Sequence, residues 1–448
     1  FGLYHQLHFA MLFFIAVIAF QSIKEWRWLF IISVVWSLYP ALHFLLPFLL
    51  EQTPPTASIM GNPTFLAAYF TFQTFFAIWL FAQTKNLSAR ILLLIIAVIF
   101  LLTILMSGVR GGFVGLAASF IFFTVWYFWK QPRLRLQIAG IFLIFVSSYA
   151  FIFVNREEVI FRQNPIIQKI TNFSMEDETI RARFSMWKMA FSGFKERPLL
   201  GWGRENYSLV FNTHFDASFD KAGVGEKWED RTHNIFLDQL IQGGLLELLS
   251  YIFFIGTLFF YNRRYVLFIG LLIAYVVQNL FGVESLNASL PFFLFAAFTH
   301  FRSLPQYTVE EYVPAHRKNF MFPAAVAMFS ASLIIASTYF FTFKPLLGNR
   351  DVILVARAMI SGNADQFDKM YAVAEKRLAW LPYQKTELLS LATITAMDQF
   401  GSNYTNAPTY KKSIEKIQKH IKNFKILKVT KCGQYAPRKY RLCVDFKI

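Results

Sequence analysis

Charge is what this sequence has little of. Asp, Glu, Lys and Arg make up 16% of its 448 residues, where a soluble domain carries about 25%. The deficit, with 56% hydrophobic residues and 54 phenylalanines, excludes an ordinary soluble fold. Cysteine is nearly absent as well. The only two, Cys432 and Cys443, lie near the C-terminus, and no Cys/His spacing suggests a zinc site. A disulfide and two free thiols are both open for that pair. Paired aspartates in a D-x-D pattern are missing from every predicted outer loop. No strand precedes the glycines of Gly201-Trp202-Gly203, so a dinucleotide fingerprint is excluded.

Basic residues are in excess, with a net charge of +17, but their positions argue against a nucleic-acid partner. They sit in short loops between apolar runs and in the last hundred residues. They do not form the clustered surface that would track phosphates.

Apolar runs of about 20 residues read as membrane helices. Spans are predicted near 7–23, 29–50, 62–83, 91–108, 112–129, 136–154, 234–260, 265–281, 286–300 and 319–342. The expected class is an all-α polytopic membrane protein of about ten transmembrane helices. Alternate loops carry Lys24 and Arg27; Lys85 and Arg90; Lys130, Arg133 and Arg135; Arg263 and Arg264; and Arg302, Arg317 and Lys318. The intervening short loops carry only Arg110. Basic loops stay in the cytoplasm, so Phe1, the 155–232 segment and the tail are expected outside. A first residue other than Met, on the outer side, leads us to expect an N-terminal truncation with one or three helices upstream.

The expected organisation is helices one to six over 1–154, a long outer loop over 155–232, helices seven to ten over 233–342, and a helical, Lys-rich outer tail over 343–448. In the long loop, Phe184, Trp187, Phe191 and Phe194 recur at helical spacing. They predict a helix that either packs on the bundle or lies in the membrane interface. Short helices are expected near 349–360, 364–379, 384–399 and 409–424.

Four features on the predicted outer side carry chemistry. Ser107-Gly108-Val109-Arg110-Gly111-Gly112 sets a guanidinium where two apolar helices meet the interface. Its planar fork suits phosphate oxygens; a side chain snorkelling to the headgroups is the alternative. Arg181 and Arg183 open the loop helix, where cations oppose the helix dipole unless an anion lies nearby. That anion is either a ligand or the adjacent Glu176, Asp177 and Glu178, the nearest candidates for a metal site as well. Pro198-Leu199-Leu200-Gly201-Trp202-Gly203-Arg204-Glu205-Asn206-Tyr207 reads by itself as a turn. Asp230-Arg231-Thr232-His233-Asn234 precedes the seventh span. Thr232 is the expected N-cap, with His233 in the first helical turn as a candidate proton acceptor or a structural histidine.

Taken in order, S-x-x-R-G-G, R-x-x-x-W, P-L-L-G-W-G-x-E-x-Y and D-R-x-H-N followed by Gly243-Gly244 resemble the O-antigen ligase and Wzy polymerase-like family of bacterial membrane glycosyltransferases. Gly61-Asn62-Pro63 and Leu66-Ala67-Ala68 add to the likeness, which covers about 55–300. Val109 departs from it, standing where Ser or Thr is more usual, and the tail lies outside the pattern. The resemblance implies a GT-C-type fold in the bacterial cytoplasmic membrane with its active site on the outer face. It implies transfer of a glycan from an undecaprenyl-diphosphate carrier to a lipid, glycan or protein acceptor, with inversion. Arg110 and Arg183 would hold the diphosphate, and His233 would stand at the reacting centre. Arg181, Arg231 and Asn234 would assist in binding diphosphate or glycan. No metal and no cofactor is expected, because arginines can take the place of a cation at the leaving group. A polymerase, a protein O-oligosaccharyltransferase and a lipid-linked sugar flippase are the competing readings.

Overall fold

Asn62 and Pro63 start the helix around which the others gather. The Asn62 side chain accepts from the Thr64 N–H at 2.8 Å, and Pro63 fills the first helical position, where a missing N–H costs nothing. In a computed structural model of the chain this helix, α3 (Pro63–Gln83), is buried on nearly all sides from Leu66 to Leu80, as suits a helix apolar all round. The structure describes residues 3–51, 59–158, 177–216, 229–304, 425–436 and 439–447, with a few single residues and short stretches between them.

The other bundle helices are α1 (Leu3–Ala19), α2 (Ile23–Glu51), α4 (Leu87–Met106), α5 (Arg110–Lys130), α6 (Arg135–Val154), α9 (Ile235–Asn262), α10 (Val266–Asn279) and α11 (Leu286–Ser303). Two shorter helices, α7 (Glu178–Glu196) and α8 (Tyr207–Thr213), come from the predicted long loop. Among the described residues, six helices are long and apolar enough to cross a membrane: α2 to α6 and α9. α1 and α10 are apolar but shorter. Nine of the predicted spans coincide with these helices, and the tenth, 319–342, lies outside the described residues except for Tyr339.

The glycines after Arg110 determine how α5 sits. A Cβ on Gly115 would come within 2.5 Å of the Ala274 carbonyl oxygen, and one on Gly111 within 3.0 Å of that of Gln278. Small residues at this spacing let two membrane helices touch backbone to backbone. Thr71 of α3 donates to the Gln278 side chain at 2.9 Å, which ties α10 to the central helix as well. α6, by contrast, has no buried residue and meets α5 through ring pairs such as Phe120–Phe145, 4.7 Å between centroids.

The bundle has two unlike ends. At one, the basic loop residues lie over aromatic rings: Arg90 on Phe81 at 4.5 Å, Arg135 on Phe128 at 5.3 Å, Arg263 on Phe260 at 4.0 Å and Arg302 on Tyr265 at 3.1 Å. Arginine and aromatic side chains of this kind belong to a membrane–water boundary. At the other end the starts of α3, α5 and α11 converge with the end of α10. Asn287 donates to the Met60 carbonyl at 3.4 Å. The loop helices and the sequence-predicted site residues join this second end.

Residues Phe1–Glu310 and Glu311–Ile448 form separate units. The second departs from the expected all-helical tail. Described residues between 347 and 374 are helical, but Lys425–Ala436 (β1) and Lys439–Lys447 (β2) form an antiparallel hairpin. The segment alternates apolar and polar residues, as in Lys439-Tyr440-Arg441-Leu442-Cys443-Val444-Asp445, a period that suits a strand. Cys443 pairs in register with Thr430, and Cys432 falls at an irregularity between Lys431 and Gly433. The remaining predicted tail helices lie outside the described residues.

Candidate active site

α7 packs on α8 and α9, the first of the two arrangements its spacing allowed. The buried face holds only half of the aromatic stripe, with Trp187 and Phe194 packed at its edge. It consists of Ala182, Ser185, Met186, Met189, Ala190 and Gly193, while Phe184 and Phe191 remain about half exposed. Small side chains let the helices approach closely: a Cβ on Gly193 would collide with Val210. Three polar anchors complete the seat. The Trp187 indole donates to the Thr232 carbonyl at 3.0 Å, the Trp202 indole to Gly193 at 2.8 Å, and the Tyr207 hydroxyl to Met186 at 2.9 Å.

This packing pairs Arg110 with Asp177 at the start of α7, sets Arg183 within electrostatic reach of both, and leaves His233 beside Glu229. Asp177 caps α7 by accepting from the Thr179 N–H at 2.9 Å. Its other oxygen accepts from Arg110 at 2.8 Å, and Arg110 also donates to the Thr179 hydroxyl at 3.3 Å. Arg183, one turn into α7, lies within electrostatic reach of Arg110, Asp177 and Glu229. Glu229 is buried, with an oxygen 3.9 Å from Nδ1 of His233. Glu229 is not among the candidates expected from the sequence. The spacing Glu229-x-x-x-His233 was its only signal.

The titrations follow from these contacts. The hydrogen bond from Arg110 holds the Asp177 carboxyl well below the usual carboxylate range. Burial, and then the positive charge of Arg110, lowers the Arg183 guanidinium from its ordinary value. Burial raises the Tyr207 phenol, and the charges of Asp238 and Glu229 push it the same way. Since the folded Asp177 value is depressed, its stabilisation is fully present above the ordinary aspartate value of about 3.9. It is lost as the pH falls through the folded value. Wild-type protein is therefore expected to lose thermal stability progressively below about pH 4, and Asp177→Asn to flatten that acid limb. Identical melting curves between pH 2 and 5 for both proteins would rule this linkage out.

Three predicted residues stand differently. Arg181 is on the exposed side of α7. Two helix positions separate it from Arg183, a rotation of about 200°, so one bound group cannot face both. Arg231 is buried and donates to Glu205 at 2.5 Å. Asn234, not Thr232, caps α9, accepting from the N–H groups of Phe236 at 3.0 Å and Leu237 at 3.3 Å. Thr232 instead donates through its N–H and its hydroxyl to Asp238, each at 2.8 Å. His233 therefore lies outside the helix, in the left-handed region with φ 57°. For a residue other than glycine this costs about 1–3 kcal/mol and marks functional sites. Glu205, the partner of Arg231, has φ 65°.

The predicted turn around Gly201 does more than reverse the chain. α9 is broken at Gly244 (φ 68°, ψ −159°), and the 198–203 segment fills the break. Trp202 and Gly203 donate their N–H groups to the carbonyls of Ile241 and Gln242, both at 2.8 Å. On the far side, Leu245 donates to the Pro198 carbonyl at 2.8 Å. Backbone groups freed inside a membrane protein need partners of this kind. The stretch Leu245–Asn262 that follows is about 27 Å long at about 1.5 Å per residue, near the hydrocarbon thickness.

The comparisons with known proteins agree with this region. Residues 95–252 match the family described as O-Antigen ligase. The match contains Arg110, Arg183, Glu229 and His233. A protein of Haemophilus influenzae described as uncharacterized is 26% identical over 220 residues, 46% of this chain and 52% of that protein. The chain spans about half the length of that curated relative.

Proposed function

From a multi-pass membrane protein whose residues 95–252 carry an O-antigen ligase family domain, we propose a glycosyltransferase that moves a glycan from undecaprenyl diphosphate to an acceptor hydroxyl. The reaction takes place on the outer face of the bacterial cytoplasmic membrane. The observation that carries this reading is the pairing of Arg110 with Asp177, with Arg183 in electrostatic reach of Arg110, Asp177 and Glu229, and His233 3.9 Å from Glu229. Two guanidinium groups in reach of one another repel unless an anion lies between them. Asp177 supplies part of that charge in the free protein. A pyrophosphate, with more charge and more oxygens, takes its place on Arg110.

The acceptor oxygen attacks the anomeric carbon as the bond from that carbon to the diphosphate oxygen breaks. The bonding pair leaves with the phosphate, and the hydroxyl proton passes to the His233 imidazole. Attack opposite the leaving group inverts the anomeric centre. Negative charge grows on the departing oxygen, and Arg110 and Arg183, already oriented, stabilise it there. Glu229 stabilises the imidazolium that forms. Arg231 and Asn234 support the site from beneath, through Glu205 and the α9 cap. In this mechanism the arginines do what a divalent cation does in other glycosyltransferases.

Purified protein in detergent, an undecaprenyl-diphosphate glycan and candidate acceptors, with and without EDTA, test the proposal. Transfer is expected to persist in EDTA and to fall by about 10²–10⁴-fold in His233→Ala. Acceptance of a second carrier-linked glycan in preference to a lipid or protein acceptor would make the protein a polymerase. Carrier crossing a vesicle wall with no new glycosidic bond would refute the enzyme reading and favour a flippase.

A further inference from the structure

Arg204 stands outside the group described above, yet it joins three elements. It donates to Gln239, in the first half of α9, at 3.2 Å. It pairs with Glu247, in the second half. Its other terminal nitrogen lies 3.8 Å from Glu284, next to the Ser285 cap of α11. All three ionic side chains are about four-fifths buried. Arg204 thus spans the break in α9 from the segment that fills it, and it also holds the start of α11.

The next residue carries the connection onward. Glu205 receives Arg231 at 2.5 Å, two positions before His233 in the chain. The left-handed conformations of Glu205 and His233 are linked by that one ion pair. On the other side of His233, Gln239 belongs to the short first half of α9, which Asn234 caps.

We propose that Arg204 is a positioning residue: it fixes the filled break in α9 so that Glu205 and Arg231 hold His233 in its strained, reactive conformation. The inference rests on His233 standing at the reacting centre. Arg204 touches neither glycan nor diphosphate in this account. A displacement of about 1 Å at a reacting group can cost about 10²-fold in rate, which is the scale of effect a lost clamp would have.

Removing Arg204 alone leaves Glu247 and Glu284 as two uncompensated buried charges, which destabilises any fold. The informative variant is therefore Arg204→Gln with Glu247→Gln, which removes one charge of each sign. Its thermal midpoint is expected between those of wild type and Arg204→Gln, because Glu284 keeps its buried charge without Arg204. Its kcat is expected to be about 10²-fold lower, with KM for donor and acceptor changed less than about threefold. Arg204→Lys is expected to recover part of the rate. Amide exchange at 201–205 and 231–234 is expected to quicken by about tenfold in the double variant, a readout that needs no glycan. Wild-type kcat in a stable double variant, or unaltered exchange at 231–234, would overturn the proposal. A wild-type protein that transfers no glycan fails the functional reading instead, and exchange then still decides whether Arg204 controls the His233 segment.

Discussion

Arg110→Ala is expected to lower kcat for glycan transfer by about 10²–10³-fold in a protein that still folds and inserts. Arg110 is the member of the site held at the mouth of a membrane helix, with α5 seated through Gly111 and Gly115 on α10. Those contacts belong to the glycines and survive loss of the side chain. The remaining partner, Asp177, keeps its cap on α7 and is one-fifth exposed, so water can solvate the freed carboxylate. Transition-state charge on the departing phosphate, however, loses an oriented donor. Arg110→Lys is expected to fall between the two, since an ammonium keeps the charge but not the fork. Arg181→Ala, on the exposed side of α7, serves as the comparison and is expected to stay near wild type. Transfer rates measured beside detergent melting curves separate turnover from folding. Full turnover in Arg110→Ala would remove this residue from the site.

Gly244→Ala is expected to give the largest loss of stability, about 3 kcal/mol or more. Its backbone lies in a region that residues with a Cβ avoid. An added Cβ would also run into the Leu199 carbonyl. Relief would require the 198–203 segment to leave the break, and the bonds to Ile241, Gln242 and Leu245 would go with it. Gly256→Ala in the same helix meets nothing within 4 Å and is expected to be neutral or slightly stabilising. Thermal midpoints of the two variants, with limited proteolysis of the 198–205 segment, make the comparison. A Gly244→Ala protein as stable as Gly256→Ala would show that the break is not held in the way described.

The sequence reading and the structure meet most closely where the determining forces are local. Asn62-Pro63 starts α3 because a side-chain cap and a fixed φ act within three residues. Arg110-Gly111-Gly112 announces both a cation at a helix mouth and a close helix contact. They part where a position is decided by a partner outside its immediate neighbours. Thr232 and Asn234 are both good caps by type. Asn234 prevails because Asp238 draws the hydroxyl and N–H of Thr232. Of the aromatic stripe Phe184, Trp187, Phe191 and Phe194, the second and fourth pack against the buried face of α7, whereas Phe184 and Phe191 stay half exposed because Gly193 meets Val210 closely. The 198–207 motif looked like a turn because its hydrogen-bond partners lie about forty residues away. Glu247 was visible as one of few charges within a span, but nothing in the sequence named Arg204 as its partner.

By itself, then, the amino-acid order determined the apolar segments, the contrast between basic and nearly uncharged loops, and a short set of candidate residues that includes Arg110, Arg183 and His233. Each is a property of a window about 20 residues long or of residue chemistry. Only the tertiary structure decided which arginine of α7 faces the group, that Glu229 stands beside His233, and that a distant loop completes a broken helix. Those outcomes depend on buried backbone and charged groups finding partners across the chain, and hydropathy carries no record of such pairings.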